Sequence, residues 1–322
     1  MMTNSYKPEG TLIGSAENRE YLSSVAGLEK AMLYGKILEA PVLLCDSNMC
    51  LHLDLYGVEG IIEKEDSVYV PGGAPIKDIA VITRVGKSVC FKVLSIEYQN
   101  GKPIARLSRR DAQLECIHNH ISSLICGDIL EARVTHMENF GAFVDIGCGI
   151  ISLLSIDCIS VSRISHPKER LSVGMPIWVV VKNIDKTNGR IFVSGRELLG
   201  TWEENATRFE AGQTVAGIIR SIEPYGVFIE LAPNLAGLAE LRSEDGSPSP
   251  ETSIGQFAAV YIKSILPERM KIKLVLVDSY HGEAQRMPLK YFIDGNQCKH
   301  LNYWRYSPEC SSKIIETVFE KI

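Results

Sequence analysis

The sequence lacks the features that mark secreted and membrane proteins. Its nine cysteines are an odd number and none stands in a C-x-x-C pair, so reduced thiols are expected rather than a disulfide framework. No apolar run approaches 18 residues, and the N-terminus has no basic region followed by an apolar one. These absences predict a cytoplasmic protein that neither enters nor crosses a membrane.

Signatures of catalysis are also missing. There is no Walker phosphate loop, no G-x-S-x-G elbow, no H-E-x-x-H helix and no G-x-G-x-x-G fingerprint. Cys116 and His120 would share one face of a helix, but no second ligand pair stands near them in the sequence. The sequence therefore predicts a protein that is not an enzyme and holds no metal and no cofactor.

Excess positive charge is absent as well. The 34 lysines and arginines are outnumbered by 39 aspartates and glutamates, which gives a formal net charge of −5. A surface that attracts polyanions over its whole area is excluded. Any contact with nucleic acid must be made by local patches.

What is present is an internal repeat. The segment from Gly127 to Phe143 matches the segment from Gly212 to Phe228 at an offset of 85 residues. Each copy ends with two aromatic residues three positions apart, with a glycine directly after the first. Two exposed rings on neighbouring strands would make a surface on which bases stack.

A fainter third copy begins at Gly35. Each unit has about five short strand-like runs separated by glycine turns. The segments between units are predicted to be helices; in one of them, for example, Thr201 stands as a capping residue ahead of acidic residues. This pattern is typical of small closed Greek-key barrels. The predicted segments are an N-terminal extension at 1–34, barrels at 35–110, 127–198 and 212–278, linker helices at 111–126 and 199–211, and a C-terminal extension at 279–322.

The C-terminal extension has its own local signals. Asp294-Gly295 predicts a hairpin turn, and Ser307-Pro308 predicts the start of a helix. The apolar face of that helix would consist of Ile314, Ile315, Val318 and Phe319. A hairpin and helix that cap the third barrel are expected.

The second unit resembles the S-one RNA-binding domain, the OB-fold unit repeated in the large protein of the bacterial small ribosomal subunit. The resemblance is carried by F-G-A-F-V-D-I at 140–146 and by D-x-x-x-G-R-I-x-x-S at 185–194. Units 212–278 and 35–110 are similar but looser, and the whole chain resembles the shorter S-one-like proteins of clostridial Firmicutes. The implied fold class is all-β with helical linkers, in which three tandem OB-fold barrels precede the hairpin and helix.

In that family RNA crosses a face of two aromatics, a histidine, and an aspartate and arginine of the last hairpin. Nearby cations would neutralise phosphates. The candidate RNA-binding residues are Phe140, Phe143, Asp185, Arg190, Arg196, Lys182 and Arg133 in the second unit, and Tyr225, Phe228, Lys263 and Lys271 in the third. The alternative is that none of these residues binds RNA, the rings being core residues and the cations solvated surface charges.

The chain departs from the family pattern at three places. Ser155 stands where the histidine is expected, and Glu240 takes that place in the third unit. In the first unit the aromatic positions fall on Asn48 and Leu51, so this unit should not stack bases. We therefore expect residues 1–110 to act as a docking module or as a spacer.

The leading hypothesis is non-catalytic binding of single-stranded RNA, messenger or ribosomal, in translation. The resemblance implies the small ribosomal subunit as a partner, reached through residues 1–110. Two alternatives stay open: a protein-interaction scaffold of OB barrels, and an RNA-binding subunit of an RNA-processing complex. Exposure of the rings separates the first hypothesis from the scaffold.

Overall fold

The computed structural model describes residues 6–187, 189–240, 253–280 and 288–319. The chain divides into two compact units. The first contains residues 1–124, 131–133 and 145–151, and the second contains residues 125–130, 134–144 and 152–322. Within the described residues no helix is long and apolar enough to cross a membrane, and no group of three or more metal-ligating side chains is placed to hold an ion.

The first unit begins with two helices and continues into a five-stranded sheet. The helices and strands are α1 (Ala16–Leu22), α2 (Val25–Leu33), β1 (Leu38–Cys45), β2 (Leu51–Asp54), β3 (Glu59–Ile62), α3 (Asp78–Ile82), β4 (Ser88–Gln99), β5 (Lys102–Ser108) and α4 (Arg109–Asn119). The sheet closes in the order β1-β2-β3-β5-β4, because β1 pairs with both β2 and β4. We call this sheet the first barrel.

Two further closed sheets follow along the chain. The second barrel consists of β6 (Ile129–Glu138), β7 (Gly141–Asp145), β8 (Ile151–Ser155), β9 (Pro176–Asp185) and β10 (Arg190–Ser194). After α5 (Trp202–Ala206), the third barrel consists of β11 (Thr214–Glu223), β12 (Gly226–Ala232), β13 (Leu235–Ala239), β14 (Phe257–Leu266) and β15 (Lys271–Tyr280). Both repeat the cyclic order first, second, third, fifth, fourth, with the third and fifth strands parallel.

The prediction of a mostly β chain with few helices and closed five-stranded barrels is confirmed. Helices also occur inside both predicted linkers, although their bounds differ. Helix α4 begins at Arg109 because the Ser108 side chain caps it by accepting a hydrogen bond from Asp111 N, and it ends at Asn119. Helix α5 is short, and Thr201 and Glu204 form a capping box at its start.

The N-terminal helices pack into the core of the first barrel. Tyr21, Leu22, Leu28 and Ala31 are buried in one cluster with barrel residues such as Phe91. The predicted N-terminal extension therefore supplies apolar surface to this core. Burial of a large apolar side chain contributes about 1.5–3 kcal/mol, so these helices stabilise the unit.

The predicted C-terminal helix is wrong. Residues 303–305 and 316–318 form two short antiparallel strands, β16 (Tyr303–Arg305) and β17 (Glu316–Val318). Ser307 Oγ accepts a hydrogen bond from Ile315 N at 2.7 Å, which continues this pairing and leaves 308–314 as the connection. Ile314 and Val318 are exposed, so the expected apolar helix face is never buried as one surface. The predicted turn at Asp294 is present, but the described residues beside it form no strand pair.

A buried cluster of charges in the first unit predicts how stability depends on pH. Arg109 donates to both carboxylate oxygens of Glu9, at 2.7 and 3.0 Å, and Glu9 N donates to Asp145 Oδ2 at 2.7 Å. Burial, together with the nearby Glu9 charge, raises the pKa of Asp145 to about 7. Burial would also raise the pKa of Glu9, but the Arg109 guanidinium holds it below its ordinary value.

The two shifts have opposite consequences. Asp145 has a raised pKa in the folded state, so its contribution to stability is lost as the pH rises toward and through about 7. Glu9 has a lowered pKa, so its contribution is lost as the pH falls below its ordinary 4.5. We expect the urea midpoint, followed by circular dichroism, to be highest near pH 4, between the ordinary pKa values of the two carboxyls, 3.8 and 4.5. Asp145→Asn should flatten the alkaline limb and keep the acid one; a wild-type midpoint that is constant from pH 5 to 8 would contradict the assignment.

Candidate nucleic-acid interface

The second and third barrels each carry a pair of aromatic rings on their surface. Phe140 is 55% exposed and Tyr225 is 61% exposed, while Phe143 and Phe228 are half-buried beside them. The rings of each pair meet edge to face, with centroids 6.0 Å apart in the second barrel and 6.2 Å apart in the third. The core interpretation therefore fails for Phe140 and Tyr225, whose rings have free faces.

The glycine after the first ring is required by a close backbone approach. A Cβ atom at Gly141 would lie 2.5 Å from Leu154 O, and one at Gly226 would lie 2.6 Å from Ala239 O. Both distances are too short for any side chain. Glycine at this position therefore lets the next strand pass close to the ring-bearing strand, and this explains its recurrence in both copies of the repeat.

A third ring joins the pair in the second barrel. The His136 imidazole is exposed and stacks on Phe143, with centroids 6.2 Å apart and planes 21° from parallel. Its Nε2 lies 2.6 Å from Glu138 Oε1. The matching position of the third barrel, 85 residues later, is Ser221, which pairs with Phe228. The second barrel thus offers three rings and the third offers two.

Sequence reasoning missed His136 because it sought the histidine after the third strand, where Ser155 stands. Strand alternation could not have found it, because His136 lies two positions after the buried Val134, where a regular strand would point it toward the same face, and yet it is exposed.

Four of the predicted cations lie on exposed strand positions. Arg190 stands opposite Asp185 at the end of the last hairpin of the second barrel, and Lys271 stands opposite Leu266 at the same place in the third. Asp185 accepts a hydrogen bond from Thr187 N at 3.0 Å and so fixes the hairpin turn. Lys182 and Lys263 are exposed on β9 and β14, and Lys182 Nζ lies 3.0 Å from Cys158 Sγ.

The other two predicted cations are engaged elsewhere. Arg196 donates to Glu197 Oε1 at 3.1 Å and to Thr317 Oγ1 at 3.4 Å, and it lies over the Trp304 ring at 6.0 Å. Arg133 donates to Gly10 O at 3.3 Å and its Nε is buried. Both arginines are therefore engaged in contacts within the protein and do not belong to the candidate RNA surface.

In the first barrel the predicted ring positions are displaced by one residue. His52 pairs with Leu44 just as Phe228 pairs with Ser221, while Leu51 is fully buried. His52 lies 2.8 Å from Glu59 and 3.3 Å from Asp46. Burial alone would lower the pKa of His52, but its hydrogen bonds to Glu59 and Asp46 raise it. The carboxylates of Glu59 and Asp46 would repel a phosphate at this position.

Fold and site together define a class. Closed five-stranded barrels in this strand order are OB-type barrels, a class that binds oligonucleotides and oligosaccharides, and the exposed ring pairs lie on two of them. The comparison with family models narrows the class, because residues 124–196 match the S1 RNA binding domain. The match covers the second barrel and the residues that flank it.

Among curated proteins the chain is similar to small ribosomal subunit protein bS1. It is 31% identical to that of Staphylococcus epidermidis over 211 residues, covering 62% of this chain and 52% of the relative. It is 29% identical to that of Rickettsia conorii over 243 residues, covering 71% of this chain and 41% of the relative. The chain thus spans about half the length of the curated relatives it matches.

The similar solved structures either cover a short part of this chain or share little sequence identity with it. GSP13 from Bacillus subtilis is 28% identical over 23% of this chain and 57% of that one, with a TM-score of 0.22. A multidomain protein with nucleic acid binding domains from Streptococcus pneumoniae is 14% identical over 76% of this chain and 74% of that one, with a TM-score of 0.24.

Proposed function

We propose that this protein binds single-stranded RNA without catalysing a reaction, and that it does so in translation. The observation that carries the proposal is the recurrence of an exposed, edge-to-face ring pair on two OB-type barrels. Stacking suits single strands because every base has a π-face, and it tolerates different sequences. The S1 domain match and the similarity to bS1 support the same function.

The barrels have different roles in this proposal. The second barrel, with three rings and the family match, is the principal RNA site, and the third is auxiliary. We propose OB barrels at 35–110, 127–198 and 212–278, with the first as a docking module. Its partner is the small ribosomal subunit, by analogy with the bS1 relatives. A cytoplasmic location belongs to the same proposal.

A protein-interaction scaffold is the second candidate. It is favoured by the net charge of −5, by the acids around His52, and by Glu240 at the position where Ser155 stands in the second barrel. The two candidates differ in one cheap measurement. A scaffold leaves labelled single-stranded RNA unbound at low salt, and an RNA binder does not.

Loss of the Arg190 guanidinium is expected to reduce the salt dependence of RNA binding. Within the described residues the Arg190 side chain has no hydrogen-bond or ion-pair partner, so it can neutralise a phosphate. For single strands each phosphate contact contributes about 0.7 to the slope of log K against log salt. Arg190→Ala should lower that slope by about this amount in fluorescence anisotropy titrations from 50 to about 200 mM salt.

Lys102→Ala is the matched control for Arg190→Ala. Lys102 is an exposed cation at the end of the equivalent hairpin in the first barrel, opposite Gln99. The first barrel has no ring pair, so the slope of log K against log salt for Lys102→Ala should equal that of the wild type. Equal slopes for wild type, Arg190→Ala and Lys102→Ala would remove Arg190 from the RNA surface.

A further inference from the structure

A loop of the second barrel and the ring pair of the third line the same cavity. Residues 161–165, from the connection between β8 and β9, form one wall of a cavity of about 630 Å³. Tyr225, Phe228 and residues of β11 form the opposite wall. All of them belong to the second compact unit. The volume lies within the range of about 300–1,000 Å³ typical of small-ligand sites.

The loop is fixed to the third barrel at the first two residues of this wall. Val161 N donates to Asn234 Oδ1 at 2.9 Å, and Ser162 N donates to Pro233 O at 3.1 Å. These two hydrogen bonds hold the backbone directly before Arg163. The wall is therefore formed in advance of any ligand, which limits the entropy lost on binding.

A buried ion cluster fixes the loop after the cavity. Arg170 donates to Glu230 Oε2 at 2.5 Å, and both side chains are completely buried. Arg220 donates to the same carboxylate and also to Glu169. The loop is thus held on both sides of Arg163 by the third barrel.

Arg163 is the cation of this cavity that remains available to a ligand. It is exposed, and it has no hydrogen-bond or ion-pair partner in the part of the chain that the structure describes. The charge of Arg220 is already matched by two carboxylates. Glu223 also lines the cavity; an ionised carboxylate only accepts hydrogen bonds, so it suits a base edge or a ribose hydroxyl and repels a phosphate.

We infer that Arg163, contributed by the second barrel, completes a pocket on the third barrel for one nucleotide of a single-stranded RNA. The base stacks on the Tyr225 and Phe228 rings, and the guanidinium binds the phosphate of that nucleotide. The inference rests on the proposed function and deepens it. It makes the third site a joint product of two barrels, whereas the second barrel supplies its own rings and cations.

A double-mutant cycle tests whether Arg163 and Tyr225 hold the same nucleotide. Arg163→Ala should weaken binding of a labelled single-stranded RNA of about 16 nucleotides by about tenfold, the usual effect of losing one charged hydrogen bond. In the Tyr225→Ala background the same change should cost much less, because the base no longer anchors the phosphate. Lys168→Ala, an exposed cation of the same loop outside the cavity, is the control and should match the wild type.

Three results would overturn the inference. The first is Arg163→Ala binding like Lys168→Ala while Phe140→Ala still weakens binding, which leaves the proposed function intact. The second is an Arg163→Ala effect of equal size in both backgrounds, which shows a contact that is independent of the rings. The third is no RNA binding by the wild type, which removes the proposed function as well. For each variant, a urea unfolding curve that is followed by tryptophan fluorescence and matches that of the wild type shows that the variant is folded.

Discussion

Alanine at Phe140 is expected to weaken the binding of single-stranded RNA by about tenfold without unfolding the protein. The ring is 55% exposed, so its removal costs little packing. Stacking of one base on an aromatic side chain is worth about 1–3 kcal/mol, and one tenfold step corresponds to about 1.4 kcal/mol. Fluorescence anisotropy with a labelled single strand measures the change directly. Phe143→Ala should have a similar effect, since His136 and Phe140 both contact that ring.

The control for Phe140→Ala is Tyr98→Ala. Tyr98 is a ring of the first barrel that is 65% exposed but lies outside the paired positions. Its loss should leave RNA affinity unchanged. If the folded Phe140→Ala protein binds as tightly as the wild type, the ring pair is not a stacking surface and the scaffold becomes the leading candidate.

Alanine at Glu230 is expected to destabilise the second unit by about 3–5 kcal/mol, because it leaves the buried Arg170 without its counter-ion. Arg170 is completely buried, and burial lowers its pKa although the Glu230 charge opposes that shift. Arg220 is 10% exposed and shares the same carboxylate. Urea unfolding followed by tryptophan fluorescence measures the loss, since all three tryptophans belong to this unit.

Glu223→Ala is the matched control for stability. Glu223 is a half-buried acid on the neighbouring strand β11, and its side chain has no hydrogen-bond or ion-pair partner among the described residues. Its removal should change the unfolding free energy by less than about 0.5 kcal/mol, as is usual for surface substitutions. A Glu230→Ala protein as stable as Glu223→Ala would show that the ion cluster does not hold the loop of residues 161–170.

The repeat predicted the barrels and both ring pairs because their cause is local. A ring, a close-approach glycine and a second ring recur at fixed spacing, so one motif reports both the strand pairing and the exposed face. The acids after the motif, Asp145 and Glu230, were visible as part of it. Their burial beside distant segments was not, because Glu230 pairs with Arg170, 60 positions away, and Asp145 accepts a hydrogen bond from Glu9 N, 136 positions away.

The errors arise where the motif is absent. In the first barrel no aromatic marks the register, and the irregularity between Val42 and Leu44 in β1 places His52, not Leu51, at the ring position. In the C-terminal extension, apolar residues at helical spacing predicted a helix, but pairing of Glu316 with Arg305 makes strands instead. Tertiary contacts decide such short segments, which local propensity alone does not fix.

The most direct test of the central claim is fluorescence anisotropy of a labelled single-stranded RNA across a salt series, with an RNA duplex as control. The wild type is compared with a Phe140→Ala/Tyr225→Ala variant whose urea unfolding matches it. We expect salt-sensitive binding of the single strand, weaker binding of the duplex, and a clear loss of affinity in the variant. Absence of single-strand binding at low salt, or equal affinity of the folded variant, would contradict the account.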